Sequence, residues 1–205
     1  GLRQLSRMTE APKTELDVEG TIQKTCRNGG VLQMQYTYPR KNTLKLLLLI
    51  DSGGSMEPYQ MLCSMLFQSV SKVGHFKDLK IFYFHNRLGR LVYREPTLTL
   101  SSAVETEWIL KNLSSDYRVI FIGDAEMSVN DLLGKNGPGG MKSGMEWLRE
   151  FKSRYSHSIW LHPQARPSGR SYWTQSFDLI AQQFHMYQIT LEGLSQGIRE
   201  LLVNH

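Results

Sequence analysis

The stretch Leu44-Lys45-Leu46-Leu47-Leu48-Leu49-Ile50-Asp51-Ser52-Gly53-Gly54-Ser55-Met56 decides the fold. Leu46 to Ile50 is short, wholly apolar and ends abruptly on a carboxylate. That is the pattern of a central strand buried on both faces of a parallel sheet, where no alternation with polar residues is needed. Gly53 and Gly54 leave a tight turn sterically open directly after the strand, and Ser55 stands where a hydroxyl could cap a following helix. From Glu57 to Val73, Leu62, Leu66, Val70 and Val73 recur at spacings of three to four, with Gly74 as a stop, so the segment is expected to be an amphipathic helix. Strand, tight turn and helix make the first half of a βαβ unit.

The alternation continues downstream. Ile81 to Phe84 and Leu91 to Tyr93 are expected as strands, Trp108 to Leu113 as part of a helix, and Val119 to Ile122 as another buried strand. Ser143 to Tyr155 is expected as a helix with Met145, Leu148 and Phe151 inward. Ile159 to Leu161 then forms a strand, Gln175 to Phe184 a helix, Met186 to Ile189 a strand and Glu192 to Leu202 a closing helix. Alternating strands and helices specify an α/β fold: a doubly wound, mostly parallel sheet with helices on both faces. Upstream, Leu32, Met34, Tyr36 and Tyr38 alternate after the turn-forming Asn28-Gly29-Gly30, which predicts a half-buried edge strand. The chain thus divides into an N-terminal arm, residues 1–40, packing on a domain of residues 41–205. There is no internal repeat.

Composition narrows the function classes. The 205 residues are 40% hydrophobic and 21% charged, inside the globular range and long enough to bury a full core without disulfides or a structural metal. The longest apolar run, five residues from Leu46, falls far short of the roughly 20 that span a bilayer. The net charge of +5 is concentrated in the first 50 residues, at +4, and is scattered rather than clustered with aromatics, so nucleic-acid binding is not expected. Two cysteines, Cys26 and Cys63, without CxxC spacing argue against a zinc cluster or disulfide scaffold and fit a reducing cytoplasm. A start at Gly1, with neither Met nor the apolar segment of a signal peptide, is expected of a piece of a longer protein.

In doubly wound folds ligands bind at the carboxyl ends of strands where the strand order reverses. Two of those ends carry aspartates: Asp51 after the first strand, and Asp124 in Gly123-Asp124-Ala125 after Ile122. Neighbouring carboxylates repel unless a proton or cation intervenes. Carboxylate, hydroxyl and water oxygens suit Mg²⁺ or Mn²⁺. Ser55, four residues after Asp51, can return its hydroxyl to the same point across the two glycines.

At these residues the chain resembles the von Willebrand factor A-type domains, whose metal-ion-dependent adhesion site uses Asp-x-Ser-x-Ser, a Thr from a second loop and an Asp from a third. It is most similar to the CoxE-like bacterial proteins, through Thr14-Glu15-Leu16-Asp17, Asn28-Gly29-Gly30, Leu46 to Asp51, Gly53-Gly54-Ser55-Met56, Tyr83-Phe84-His85-Asn86, Val119 to Ala125 and Thr190-Leu191-Glu192-Gly193-Leu194. The resemblance implies a Rossmann-like fold over roughly residues 14–202. It also implies metal ligation by Asp51, Ser55 and Asp124, and it implies binding rather than catalysis, with an open position on the ion completed by a Glu or Asp of a partner protein. A MoxR-type AAA+ ATPase, acting in maturation or metal insertion of a client enzyme, is the implied associate. Gly53 departs from the pattern, standing where the family has a second Ser ligand. The second-loop Thr is assigned to Thr106, which directly precedes a helix, with Thr97, Thr99, Ser101 and Ser102 left open as alternatives.

Other readings compete at each position. Asp51 could merely cap a helix. Glu126 could be an outer-shell acceptor or a solvated loop residue, and His85 and Asn86 could line the crevice or bond a neighbouring loop. Gly134-Lys135-Asn136-Gly137-Pro138-Gly139-Gly140 lacks the order of a P-loop, because Lys135 precedes the glycines; it suits a rim loop. A phosphoryl-transfer enzyme would need a nucleophilic acid near Asp51 and a lysine after a later strand; Asp-Ser-Gly-Gly-Ser offers no second acid, and no Lys follows a later strand in a suitable position. The same fold with a degenerate, metal-free site is the remaining alternative, kept open by Gly53.

Overall fold

The structure is a computed structural model and describes residues 15–28, 33–37, 44–56, 58–59, 77–135, 142–163 and 174–202. The described elements, labelled in chain order, are β1 (Glu15–Leu16), α1 (Val18–Arg27), β2 (Tyr36–Thr37), β3 (Lys45–Asp51), β4 (Asp78–Phe84), β5 (Leu91–Tyr93), β6 (Ala103–Glu105), α2 (Thr106–Asn112) and β7 (Tyr117–Ile122). They continue with α3 (Val129–Leu133), α4 (Gly144–Arg154), β8 (Ser158–His162), α5 (Thr174–Ala181), β9 (His185–Gln188) and α6 (Leu191–Leu202).

Seven strands form one sheet in the order β6-β5-β4-β3-β7-β8-β9. The pairs β3–β4, β3–β7, β7–β8 and β8–β9 are parallel, and only β5 and β6 at one end pair antiparallel. This is the mostly parallel α/β sheet that the alternation specifies. β3 lies at its middle, between two parallel neighbours, and Leu46 to Asp51 are all buried.

Both faces are covered, and β3 shows it residue by residue. Leu47 and Leu49 join a core with Phe82, Phe84, Val119 and Phe121, roofed by Ile109 and Leu113 around α2, Leu148 and Phe151 of α4, and Phe177 and Ile180 of α5. Leu46, Leu48 and Ile50 point the other way, into a core with Ile120, Ile122, Ile159 and Leu161, closed by Leu194 and Leu201 of α6. Each fully buried Leu of this strand contributes about 1.5–3 kcal/mol by leaving water. Stacked rings stiffen the first core: Phe121 lies 5.4 Å from Trp160, nearly parallel, and meets Phe151 edge-on at 5.7 Å.

The arm differs from expectation. Residues 18–27 form a helix that the sequence reading did not anticipate, capped by Asp17, whose carboxylate accepts the Gly20 N–H at 2.8 Å. The anticipated strand is short, Tyr36–Thr37, and it pairs antiparallel with β1 in a separate two-stranded sheet instead of extending the main one. Two α1 hydroxyls account for this: buried Thr21 and Thr25 accept the N–H groups of Gln35 and Gln33 at 2.9 and 3.1 Å, holding the segment alongside the helix. Met34 and Tyr36 are exposed as a result. α1 in turn packs on α6.

Elsewhere the expected elements form with ends shifted by at most three residues, and β6 and α3 are additional. The expected helix of residues 57–73, with Leu62, Leu66, Val70 and Val73, lies outside the described residues except at 58 and 59. Residues 136–140 of the glycine-rich stretch lie outside them as well. No described helix is long and apolar enough to cross a membrane.

Candidate metal centre

β3 and β7 are adjacent, and their connections leave toward opposite edges of the sheet. The crevice beyond their carboxyl ends is therefore the topological switch point. Asp51 is the last residue of β3, and Asp124 follows β7 by two residues. Gly123 allows the two loops to meet: a Cβ there would sit 3.1 Å from the Asp51 Cβ, tighter than side chains ordinarily pack, and in contact with the Trp160 ring at 3.4 Å.

Asp51 is 3% exposed. Its Oδ1 accepts two backbone N–H groups, from Gly53 at 2.8 Å and Asn86 at 2.9 Å. Its Oδ2 accepts no hydrogen bond among the described residues. Burial, and to a smaller degree the Asp124 charge, push the Asp51 carboxyl above the ordinary carboxylate range, while the Asn86 and Gly53 amides and His85 oppose them. Ser52 and Met56 fix the turn, donating their N–H groups to the Phe84 and Gly53 carbonyls at 2.9 Å each. The turn of Gly54–Met56 then carries Ser55 across the crevice, where its Oγ donates to Asp124 Oδ2 at 2.5 Å. Ser55 thus serves the second carboxylate, while the helix it was expected to cap lies almost wholly outside the described residues.

Asp124 is half-buried, and its Oδ1 accepts the Glu126 N–H at 3.0 Å. Burial and the Asp124 charge raise the Glu126 carboxyl. Two residues beside the site adopt left-handed backbone conformations: Asn86 at φ 61° and Ala125 at φ 58°. Asn tolerates this conformation well, and Ala poorly. The left-handed Ala125 orients the following peptide, whose Glu126 N–H meets Asp124, and the Asn86 N–H meets Asp51.

The structure therefore brings together three of the four residues expected to ligate: Asp51, Ser55 and Asp124. Thr106 stands apart in its bonding. It is fully buried at the junction of β6 and α2, with its hydroxyl donating to the Gly89 carbonyl at 2.6 Å and its N–H donating to Arg90 at 2.8 Å. The alternatives bond within their own loop: Thr97 and Thr99 with Glu95, and Ser101 and Ser102 with Thr99. None of the five hydrogen-bonds to Asp51, Ser55 or Asp124 among the described residues.

His85 is exposed, and its Nδ1 lies 3.4 Å from where a Cβ on Gly53 would stand, so it lines the crevice as one of the sequence readings had it. Position 53 faces the same space, its built Cβ being 3.1 Å from Asp51 Oδ1. Sequence reasoning did not find Trp160 and Ser176. The Trp160 indole N–H donates to the Gly123 carbonyl at 2.8 Å, and the Ser176 hydroxyl donates to the Ala125 carbonyl at 2.8 Å. No local motif marks either one. Asn86 was legible in one respect, as an Asn two residues after a strand.

The donor set suits a hard divalent cation. Among the described residues neither aspartate is ion-paired with Lys or Arg, so two adjacent carboxylates share a crevice without either to compensate them. Asp51 Oδ2 has no hydrogen-bond donor among the described residues. Mg²⁺ and Mn²⁺ take such oxygens at about 2.0–2.2 Å and commonly keep several waters, so an incomplete protein shell is compatible with them. No three His, Cys, Asp or Glu side chains gather to hold a metal among the described residues.

The family model described as VWA domain containing CoxE-like protein matches residues 1–105. That span includes Asp51 and Ser55 and stops before Thr106 and Asp124. Comparison with curated proteins gives no match. With half its length inside the family match, and with a mostly parallel seven-stranded α/β sheet of the kind such a domain has, the chain belongs to the CoxE-like proteins that contain a VWA domain.

Proposed function

We propose that the domain is a metal-ion-dependent protein-interaction module, not an enzyme, and that Asp51, Ser55 and Asp124 hold a Mg²⁺ or Mn²⁺ ion. The observation that carries this reading is the juxtaposition of buried Asp51 with Asp124 and Ser55 at the switch point, without a compensating Lys or Arg among the described residues. When bound, the ion supplies Lewis acidity for one further carboxylate. The protein's own groups do the rest. The Gly53 and Asn86 amides hold Asp51 through Oδ1, leaving Oδ2 without a donor among the described residues, and Ser55 orients Asp124. The occupant of the open position is a Glu or Asp of a partner protein. A MoxR-type AAA+ ATPase working toward maturation of a client enzyme is the partner that the family resemblance suggests.

One observation favours a second reading, in which the site is metal-free and the module is purely structural. Gly53 offers no hydroxyl to an ion beside Asp51. Water-proton relaxation with Mn²⁺ separates the two. The metal reading expects enhanced relaxation on adding the protein, lowered by acetate as a stand-in for the partner carboxylate and lost in Asp51→Ala. Relaxation equal to that of free Mn²⁺ would favour the metal-free module.

A further inference from the structure

Asp124 does not hold its own position. The segment that carries it, Gly123 to Met127, leaves β7 through a left-handed Ala125 and has no strand partner beyond the Gly123 N–H bond to Leu161 at 3.1 Å. Such a conformation at a non-glycine residue persists only where surrounding groups over-determine it. Those groups come from two distant elements. The Trp160 indole of β8 donates to the Gly123 carbonyl at 2.8 Å. Ser176 of α5, with no exposed surface, uses one hydroxyl twice, donating to the Ala125 carbonyl at 2.8 Å and accepting the Met127 N–H at 3.0 Å. That hydroxyl therefore brackets the peptide whose Glu126 N–H fixes Asp124 Oδ1.

We propose that Ser176 is a positioning residue for Asp124, setting from α5 the geometry in which the third-loop carboxylate faces Asp51 and Ser55. The proposal rests on the reading of Asp124 as a ligand for its metal consequence, but the loop geometry itself is independent of that reading. Residues that orient a ligand without touching the ion typically change its affinity by about 10- to 100-fold when removed. A buried serine with a merely structural role would move stability alone.

Amide hydrogen exchange and Mn²⁺ titration of the parent, Ser176→Ala, Ser176→Thr and Ile180→Val test it. Ile180, also fully buried on α5, serves as a control that loosens the same core without touching the loop. Ser176→Ala is expected to speed exchange at the Glu126 and Met127 amides and weaken Mn²⁺ binding about 10- to 100-fold. Ser176→Thr, keeping the hydroxyl, is expected to restore both, and Ile180→Val to lower the melting temperature while moving neither. If Ser176→Ala lowers only the melting temperature and leaves exchange at those amides as in the parent, the proposal is overturned. If the parent binds no Mn²⁺, the metal reading fails, and the exchange data still decide the role of Ser176.

Discussion

Burying Asp51 beside Asp124 costs free energy that hydrogen bonding only partly offsets, since desolvation and like-charge repulsion both oppose the ionised carboxylate. Asp51→Asn separates structure from function. The amide keeps an oxygen for the Gly53 and Asn86 N–H groups while removing the charge. Thermal unfolding without metal is therefore expected to show a variant as stable as the parent or up to about 2 kcal/mol more stable, as often found where function constrains stability, with divalent-ion binding lost. A marked fall in melting temperature would mean that Asp51 serves the fold. Position 53 is the second test. Its backbone is not in the left-handed region, so a side chain is conformationally allowed, yet a Cβ would press on Asp51 Oδ1 at 3.1 Å. Gly53→Ala and Gly53→Ser are both expected to lower the metal-free melting temperature slightly. Only Gly53→Ser, by restoring a hydroxyl, should tighten Mn²⁺ binding in a titration. Equal affinity in the two would remove position 53 from the ion's surroundings.

At the scale of elements, what was legible depended on whether a signal was local. α4 was readable from the spacing of Met145, Leu148 and Phe151, and the structure adds a capping box at its start: the Ser143 hydroxyl accepts the Glu146 N–H at 3.2 Å and Glu146 accepts the Ser143 N–H at 2.7 Å. Ser143→Ala should cost about 1 kcal/mol in chemical denaturation. Glu146 also pairs with Lys135 at 2.9 Å; this pair first, and the Ser143 amide next, hold its carboxyl down from 4.5 to about 2. A depressed carboxylate stabilises the fold above its unfolded value and loses that contribution as pH falls toward the folded one. Glu146→Gln should therefore flatten the acid limb of the stability curve between 4.5 and about 2, with little change in its slope at neutral pH. α1 and β6 were not legible. α1 depends on Asp17 as a cap and on threonines that bind a segment 8 to 14 residues away, and β6 is three residues recruited by pairing with β5.

Across the whole molecule, the sheet was legible because β3 and β7 are apolar on every residue that meets the two cores, a pattern that only a strand covered on both faces sustains. Given the sheet, Asp51 and Asp124 follow as strand-end carboxylates. Thr106 did not follow in the same way, because five hydroxyls lie within ten residues near the sheet edge and spacing cannot choose among partners fixed by tertiary packing. The second core depends on how closely α6 approaches β9. A Cβ on Gly193 would lie 2.1 Å from the Gln188 carbonyl oxygen, so Gly193→Ala must push the helix off the sheet. A loss of about 1–3 kcal/mol or more is expected, read as a lowered melting temperature. An unchanged melting temperature would contradict the close packing described.

The measurement that bears most directly on the central claim is calorimetric titration of the purified chain with Mg²⁺ and Mn²⁺, beside Asp51→Ala and Asp124→Ala. The account expects a single saturable site in the parent, absent from both variants while each remains folded. Binding that persists undiminished in either variant, or a parent that binds neither ion, would contradict it.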